Sequence, residues 1–472
     1  MSLKHADILK SQEKRLAASL FQNRLWCKLF AAQVISLAGS GVTTVALALL
    51  AWHLAEGNAG EVLGLALALK MIASVTIAPL AGSVVRRVPR RRWLIVLDLL
   101  RAGLVLLLAF VTEIWQIYLL IFLMSSLSAG FTPVYQAVVA DIVSEKELYT
   151  KALSFSRIAY DLEQLLSPAL AALLLSVMGF SWLFLFDSLS FLLSALFLFW
   201  AVIPCATSPT PDNFFANLKF GLSAYLKTPR LRALLCLYVA VASASALMIT
   251  GTVVYVSEIL GRGEGSTAVA LAVSGCGSMV VALLLPGILE KISIVRSFAV
   301  GIICLCIGLG FASFLPGWVL FLFLWFILGA GLTCIQLPAG LLVRMSSHPD
   351  DLASYFSANF SLSHLCWLVA YPVSGFLGVH LGMGGTFLLM AAVVFVSGAV
   401  AWRIYPQPDL LEIAHDHTAF VHSHVHDHED RHHQHIHTDS TDEGHSLIHR
   451  HEEIRHCHAF TIDFHHPYWP RD

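Results

Sequence analysis

Long, unbroken apolar runs are the feature of this sequence that most limits what it can fold into. The first 404 residues hold twelve such runs, and a helix needs roughly 20 apolar residues to cross a bilayer. A membrane barrel is excluded, because its strands alternate between apolar and polar residues. The predicted spans are residues 27–54, 61–85, 93–112, 115–140, 150–177, 181–203, 231–257, 266–289, 294–314, 316–342, 353–381 and 383–404.

The composition excludes several classes of protein. Charged residues make up 13% of the chain, against about 25% in a typical soluble domain. A soluble single-core enzyme is therefore excluded. The net charge of −2 gives no basic field for nucleic acid. The glycine-rich stretch 261–267 lacks the lysine and the spacing of a phosphate-binding loop, so we expect no use of ATP.

The distribution of basic residues predicts the orientation of the helices. Of the 29 Lys and Arg residues, Arg262 falls in a loop on the outer side, and Lys70 and Arg101 fall within the membrane. The remaining 26 fall on the side that holds both termini. Because basic residues concentrate on the cytoplasmic side, both termini are predicted to be cytoplasmic. The nine cysteines lie mostly in or beside apolar runs, which does not indicate a disulfide framework.

The sequence predicts an all-α integral membrane fold of twelve helices in two six-helix halves. An N-terminal arm, residues 1–26, precedes the first half, residues 27–203. A cytoplasmic linker, residues 204–230, connects it to the second half, residues 231–404. Apolar residues at near-helical spacing in the linker indicate an interfacial helix, and a plain linker is an equal alternative. A polar, His-rich tail, residues 405–472, completes the chain.

The tail has the composition of a metal-binding segment. It holds 17 of the 22 histidines and, after Pro406, 13 Asp and Glu against 4 Arg, a balance of −9. Alternate residues of an extended strand point the same way, and imidazole suits nickel, copper, zinc and cobalt. The tail is predicted to be disordered until it binds metal. Because imidazole binds metal when neutral, and its unperturbed pKa is about 6.5, mild acid should release the ion. The predicted ligands are His415, His417, His422, His424, His426, His428, His432, His433, His435, His437, His449, His451, His456, Cys457 and His458.

Five charged residues at membrane depth are candidates for transport or coupling, because each needs a partner or a role there. They are Lys70, Asp98, Arg101, Asp161 and Glu163. Asp98 and Arg101 are three residues apart on one helix face and predict an ion pair tied to an inner gate. Arg157 lies four residues before Asp161 and is expected to neutralise it. Glu163 lies on another face, where it either carries a proton or a cation or forms a structural pair with Lys70.

One histidine lies within the predicted eleventh helix. His364 continues a polar stripe that includes Ser357, Ser361 and Tyr371, at a spacing that suits a water-filled cavity. It is a candidate metal ligand, with Cys366 or a polar neighbour such as Asn359 as a second donor. A hydrogen bond between helices is the alternative role.

The two halves and the second loop resemble the major facilitator superfamily. The loop has Gly82, Arg86, Arg87, Pro89, Arg90 and Arg91 at the family's spacing, with Arg86 in place of the acid and Pro89 in place of the second glycine. The resemblance implies an inner gate at this loop, where Asp98 could supply part of the missing acid's role. The fifth span is similar to the family's antiporter motif, since residues 167–172 keep its proline and small residues.

Together with the His-rich tail, these features resemble bacterial nickel-resistance exporters of the NreB type. That resemblance implies a secondary exporter in the bacterial inner membrane, which moves nickel and also cobalt in exchange for protons. It implies no tightly bound cofactor; the partners are a divalent metal, protons and lipid. Two alternatives are a drug or siderophore exporter with a metal-buffering tail, and a metal-sensing membrane protein that transports nothing.

Overall fold

The computed structural model describes residues 20–54, 59–85, 88–177, 179–203, 214–406, 412–417, 420–425, 446–451, 454–459, 462 and 469. The helices are α1 (Arg24–Leu54), α2 (Ala59–Val84), α3 (Arg90–Leu107), α4 (Ile114–Ile142), α5 (Lys146–Val177), α6 (Phe180–Trp200), α7 (Phe214–Lys227), α8 (Pro229–Val254), α9 (Glu264–Leu289), α10 (Ile294–Ala312), α11 (Trp318–Met345) and the segment Leu352–Ile404. Gly382, with a φ of 66°, divides that segment into α12 (352–381) and α13 (383–404), a conformation that glycine adopts without strain.

Twelve of these helices form the bundle, which confirms the predicted fold class. Ten helical stretches among the described residues are long and apolar enough to cross a membrane, and one of them, residues 349–404, contains both α12 and α13. The more highly charged α5 completes the set. Large apolar side chains such as Phe110, Trp115 and Val319 are exposed, as contact with lipid requires. Within lipid, helices satisfy every backbone polar group internally.

The two halves repeat one packing scheme, in which α1 to α6 correspond to α8 to α13. In the first half α1 packs on α6, and in the second α8 packs on the segment that includes α13. The pairs α2 with α4 and α3 with α4 recur as α9 with α11 and α10 with α11. Such internal repeats are typical of secondary transporters, whose substrate sites lie near the interface of the repeats.

The halves meet through α2 against α12 and through α5 against α9. We call the face where α1 begins and α13 ends the terminal face, and the opposite one the distal face. The Ser361 hydroxyl donates to the Val75 carbonyl at 2.6 Å, and the Ser154 hydroxyl donates to the Ala282 carbonyl. All four residues lie in the terminal-side parts of their helices. The terminal face of the bundle is therefore closed by contacts between the halves.

The helix predicted in the linker is present as α7, and it packs against α2, α8 and α12. The Tyr225 hydroxyl donates to Asn359 Oδ1 at 3.1 Å, and Tyr225 is fully buried. Gly221 approaches the backbone of Ser354 so closely that a β-carbon would collide with it. Since α7 contacts both halves, it reinforces the closed terminal face.

The described residues of the tail include four strands, so the prediction that the tail is disordered is wrong for those residues. They are β1 (Glu412–His417), β2 (Phe420–Val425), β3 (Ser446–His451) and β4 (Ile454–Ala459), with β1 antiparallel to β4 and β2 antiparallel to β3. Each strand carries at least one Val, Ile or Phe, residue types that favour strands. The low overall content of apolar residues in the tail concealed this local pattern.

The end of the tail returns to the bundle. The Tyr355 hydroxyl, at the terminal-side end of α12, donates to the Ile462 carbonyl at 2.7 Å, and Ile462 is only 2% exposed. The Arg230 guanidinium lies 6.0 Å from the centre of the Trp469 ring. The His-rich strands between residues 412 and 459 are therefore attached to the terminal face at both ends.

We predict that Gly82→Val opens the terminal face. A β-carbon at Gly82 would collide with the side chain of Ser357 across the interface of the halves, whereas a β-carbon at Gly103 of α3 meets nothing. The measurement is cross-linking between cysteines introduced by Ser154→Cys and Ala282→Cys, with the native cysteines replaced. Gly82→Val should lower the yield several-fold, and the control Gly103→Val should not. Equal yields in both would show that this contact does not hold the face closed.

Candidate functional site

A polar network joins the halves where α5 meets α9 and α11. The Arg157 guanidinium lies 3.1 Å from the Asp161 carboxylate, donates to Ser278 Oγ at 3.0 Å and donates to Gln336 Oε1. The Ser278 hydroxyl lies 2.5 Å from both Asp161 Oδ2 and Thr333 Oγ1. The predicted pairing of Asp161 with Arg157 is confirmed. The pair also links the two halves, so these contacts must break when the terminal face opens.

Glu163 lies beyond this network, toward the distal face, near the middle of α5. Its side chain and that of Ser167 occupy the space that Gly41 of α1 leaves by lacking a β-carbon. In the described part of the chain, the Glu163 carboxylate has no hydrogen bond and no close ion pair. Lys70, an exposed residue near the middle of α2, lies near enough for its charge to act on both Glu163 and His364. We call the three mid-membrane residues that are related through the charge of Lys70, one each from α2, α5 and α12, the central triad: Lys70, Glu163 and His364.

His364 is oriented by its own helix. Its Nδ1 lies 2.7 Å from the Phe360 carbonyl, and its ring stacks on the Phe360 ring with centroids 3.9 Å apart. A carbonyl can only accept, so the neutral imidazole must carry its proton on Nδ1. That tautomer leaves the Nε2 lone pair free to accept a proton or bind a metal ion. The half-buried His364 ring is therefore held in one orientation with one basic nitrogen available.

The structure separates the other predicted donors of α12 from His364. Cys366 is two residues further along the helix, about 200° around its axis, and its thiol donates to the Leu362 carbonyl at 3.4 Å. Asn359 is occupied by Tyr225 and by the hydroxyl of Tyr238, to which it donates at 3.2 Å. The structure therefore does not bring Cys366 or Asn359 to His364, and a metal site that they share stays a prediction. Within the described part of the helical bundle, no three His, Cys, Asp or Glu side chains form a group that could hold a metal ion.

The polar stripe predicted on α12 has two parts. Ser357 lies against Gly82 and Ser361 bonds to Val75, so both belong to the closed interface of the halves rather than to an open cavity. His364 is the next member of the stripe, one helical turn further toward the distal face. The stripe therefore continues from the closed gate to the central triad.

A second group of charges is buried inside the first half. Asp98 and Arg101 of α3 form the predicted ion pair, and the Ser194 hydroxyl of α6 donates to Asp98 Oδ2 at 2.7 Å. The Arg101 guanidinium also lies 4.1 Å and 4.7 Å from the centres of the Phe131 and Phe191 rings. Asp98 is fully buried between α3 and α6, so the expectation that it replaces the missing acid of the second loop is wrong.

An acid at the end of α4 pairs with a basic residue of the second loop. Arg90 pairs with Asp141 at the end of α4, and Arg91 donates to the Phe199 carbonyl at the end of α6. These bonds tie the terminal-side ends of α3, α4 and α6 together. Arg86 and Arg87 lie outside the described residues, as do His426, His428, His432, His433, His435 and His437 of the tail.

The sequence analysis missed Asp187, the one acid in the apolar helix α6. It is fully buried, its Oδ1 lies 3.0 Å from the Ser190 hydroxyl, and Arg101 acts on its charge. A carboxylate inside a 21-residue apolar helix was a visible signal. Ser278 and Thr333 were also missed, and single hydroxyls in apolar runs give no recognisable pattern.

We predict that Asp98→Ala strongly destabilises the protein. Removing one partner of a buried pair leaves an uncompensated charge and costs about 3–5 kcal/mol, whereas replacing both partners with apolar residues is often neutral. The unfolding temperature in detergent should fall for Asp98→Ala and recover in the triple variant Asp98→Leu with Arg101→Met and Asp187→Asn, because Arg101 also acts on the charge of Asp187. The exposed Glu147→Gln serves as the control. If the single and triple variants unfold at the same temperature, the buried charges are not the stabilising unit.

The sequence of this chain is similar to one known protein family. The model of the Major Facilitator Superfamily matches residues 29–332. The uncharacterized MFS-type transporter YfiS of Bacillus subtilis is 25% identical over 336 residues, which cover 69% of this chain and 80% of that protein. Macrolide efflux protein A of Streptococcus pyogenes is 28% identical over 216 residues, or 44% of this chain and 52% of that protein.

Two solved structures show the same fold. The human organic anion transporter MFSD10 aligns with a TM-score of 0.69 at 14% identity, over 80% of this chain and 99% of its own. A bacterial homologue of the iron transporter ferroportin, in an outward-facing state, aligns with a TM-score of 0.62 at 15% identity, over 80% of this chain and 98% of its own.

Proposed function

We propose that this chain, which belongs to the major facilitator superfamily, exports a divalent metal ion from the cytoplasm of a bacterium in exchange for protons. Membership of the family makes it a multi-pass membrane transporter and not an enzyme. The proposal adds the cargo, nickel with cobalt as a second ion, and the coupling to protons. The observation that carries it is the His-rich tail, attached to the terminal face of a bundle that contains at mid-membrane an available imidazole nitrogen and a carboxylate with no close ion pair among the described residues.

The orientation follows from the excess of Lys and Arg at the terminal face, which makes that face cytoplasmic. Because that face is closed by the Ser361–Val75 and Ser154–Ala282 contacts, we infer an outward-facing state of an alternating-access cycle, in which the central triad is reached from the outside. Opening toward the cytoplasm requires separation of the Arg157 network from Ser278 and Gln336, and of α2 from α12. The tail would then present metal ions to the opened face at high local concentration.

The central triad can couple a dication to protons through competition. A carboxylate and an imidazole bind a metal ion only when deprotonated, so an ion that binds Glu163 and His364 releases their protons. Protonation from the outside reverses the exchange and releases the ion there. Lys70 offsets the negative charge of Glu163 when the site holds neither ion nor proton. Export of a dication against an inside-negative potential costs about 2.3 kcal/mol per charge per 100 mV, which proton entry can offset.

The test is transport in sealed vesicles that contain the purified full chain. Ni²⁺ inside the vesicles should leave faster when the outside is acidic, and the acceleration should vanish when an ionophore removes the proton gradient. Co²⁺ should compete with Ni²⁺. Vesicles that retain Ni²⁺ and Co²⁺ equally with and without the protein, under either direction of the gradient, would contradict the proposal.

We predict that Glu163→Gln abolishes acceleration by the proton gradient, because an amide neither binds nor releases a proton at these pH values. Glu147→Gln is the matched control, since Glu147 is an exposed acid in the first turn of the same helix. The measurement is the initial rate of Ni²⁺ efflux with and without the gradient. Full acceleration in the Glu163→Gln variant would exclude Glu163 from coupling.

We predict that His364→Asn raises the Ni²⁺ concentration for half-maximal transport about tenfold or more, because even the outer partners of metal ligands are worth about 10- to 100-fold in affinity. His380→Asn is a closely matched control. The His380 Nδ1 lies 2.8 Å from the Phe376 carbonyl and its ring stacks at 4.0 Å on Phe376, so it repeats the local geometry of His364 near the distal end of α12. Equal effects of both substitutions would assign His364 a structural role.

A second candidate function is export of an apolar drug or siderophore, with the tail as a metal buffer. The similarity to Macrolide efflux protein A favours it. Cells that lack their own exporters and express this chain should tolerate more nickel, with no change in macrolide tolerance. Macrolide tolerance without nickel tolerance would select the second function.

A further inference from the structure

The two strand ladders of the tail share an unexpected arrangement of histidines. In an antiparallel pair, directly opposite residues lie on the same face, and faces alternate along each strand. In the β1·β4 ladder, His415 is opposite His456, His417 is opposite Ile454, and His458 is opposite Ile413. One face therefore holds four histidines, two from each strand: His415, His417, His456 and His458.

The β2·β3 ladder repeats this arrangement with different residues. His422 is opposite His449, His424 is opposite Leu447, and His451 is opposite Phe420. The four histidines His422, His424, His449 and His451 lie on one face. Both ladders thus have one row with two opposed histidines, flanked on each side by a row with one histidine and one apolar residue.

The spacing within the ladders suits a metal ion. Directly opposite residues have β-carbons about 4.5–5.5 Å apart, and diagonal neighbours lie about 7–8 Å apart. Metal–imidazole bonds of about 2.0–2.1 Å place two ligands of one ion at a separation that an opposed pair can reach. Each opposed histidine also has a diagonal histidine neighbour on the other strand. The opposed pair can therefore hold an ion, and the diagonal residues can complete its coordination.

We propose that each ladder is a separate metal site, so that the tail binds two divalent ions, one through the opposed pair His415 and His456 and one through His422 and His449. This inference rests on the proposed function in one respect, namely that the tail takes up the exported metal. It specifies what composition alone leaves open, which is how many ions bind and which histidines act together. Ligands of one site come from strands about 30 to 40 residues apart in the chain.

The ladder register also removes one ligand that the sequence suggests. Cys457 is opposite Ala414 and lies on the other face from His456 and His458. The consecutive residues 456–458 therefore do not form one ligand set. Because the register places Cys457 on the other face, we assign it no part in the first site.

The first site lies close to the membrane domain along the chain. Strand β1 begins eight residues after the end of α13, and β4 ends three residues before Ile462, which accepts the hydrogen bond from Tyr355. Metal held by the β1·β4 ladder is thus tethered at the terminal face from both sides. The β2·β3 ladder is inserted between the strands of the first, and its ion is further along the chain from the bundle.

The experiment is Ni²⁺ titration of the purified full-length protein in detergent at neutral pH, read by calorimetry and by metal content after gel filtration. All variants carry Glu163→Gln and His364→Asn, so that the central triad adds no ion, and this background should retain two tightly bound ions. In it, His415→Asn with His456→Asn should retain one, and His422→Asn with His449→Asn should also retain one. The control His465→Asn with His466→Asn removes the same number of histidines beyond Ile462 and should retain two. Cys457→Ser should retain two as well.

A second comparison distinguishes two ladder sites from binding that depends only on the number of histidines in the tail. His415→Asn with His422→Asn takes one histidine from each ladder and should weaken both sites at least tenfold instead of deleting one. Equal losses in all three double variants within the ladders and in the control, or loss of an ion in Cys457→Ser, would overturn the inference. Vesicle transport is measured separately, on the chain without these substitutions. Two bound ions without Ni²⁺ efflux would contradict metal export but not the two tail sites. Ni²⁺ efflux together with equal losses of bound ions in all double variants would contradict the two tail sites but not metal export.

Discussion

The cost of placing a charge within a lipid bilayer determines most of what is distinctive in this structure. Each ionised group at membrane depth costs about 2.5–3.5 kcal/mol on insertion scales, so it requires a partner or a function. Asp98 is satisfied by Arg101 and Ser194 inside one half, and Asp161 is satisfied by Arg157 and Ser278 across the two halves. Asp187 has the Ser190 hydroxyl and the charge of Arg101, whereas Lys70 and Glu163 have no close partners in the described residues. That contrast is the physical reason to regard the central triad as the working site.

The satisfied charges have two different roles. The Asp98–Arg101 pair lies entirely within the first half, so it can stay intact while the halves move. The Arg157 network crosses from α5 to α9 and α11, so it exists only while the terminal face is closed. Each transport cycle must exchange these bonds for others or for water. Helical spacing alone does not distinguish charges that stabilise one half from charges that hold the two halves to each other.

The bundle was predictable from the sequence because only helices and closed barrels satisfy their backbone polar groups within a bilayer. Apolar runs of sufficient length gave all twelve helices, with differences mainly at the ends: α5 begins at Lys146 and not at residue 150, since its charged first turn extends beyond the apolar run. Pairs on one helix, such as Arg157 with Asp161, followed from spacing. Contacts between helices did not follow from spacing. The structure was therefore needed to place the Ser278 and Thr333 hydroxyls in the network and to show that Cys366 is separate from His364. In the tail, composition indicated disorder, whereas segments with at least one Val, Ile or Phe form short strands whose register cannot be deduced from spacing.

If one site exchanges a dication for protons, simultaneous recording of both ions should show the two fluxes together. Vesicles that contain the full chain, with a Ni²⁺-sensitive dye outside and a pH-sensitive dye inside, report the two fluxes in one experiment. We expect efflux of Ni²⁺ to start an opposite flux of protons with a fixed ratio, and neither flux to occur in vesicles lacking the protein. Ni²⁺ efflux with no accompanying proton movement, or no Ni²⁺ movement at all, would contradict this exchange.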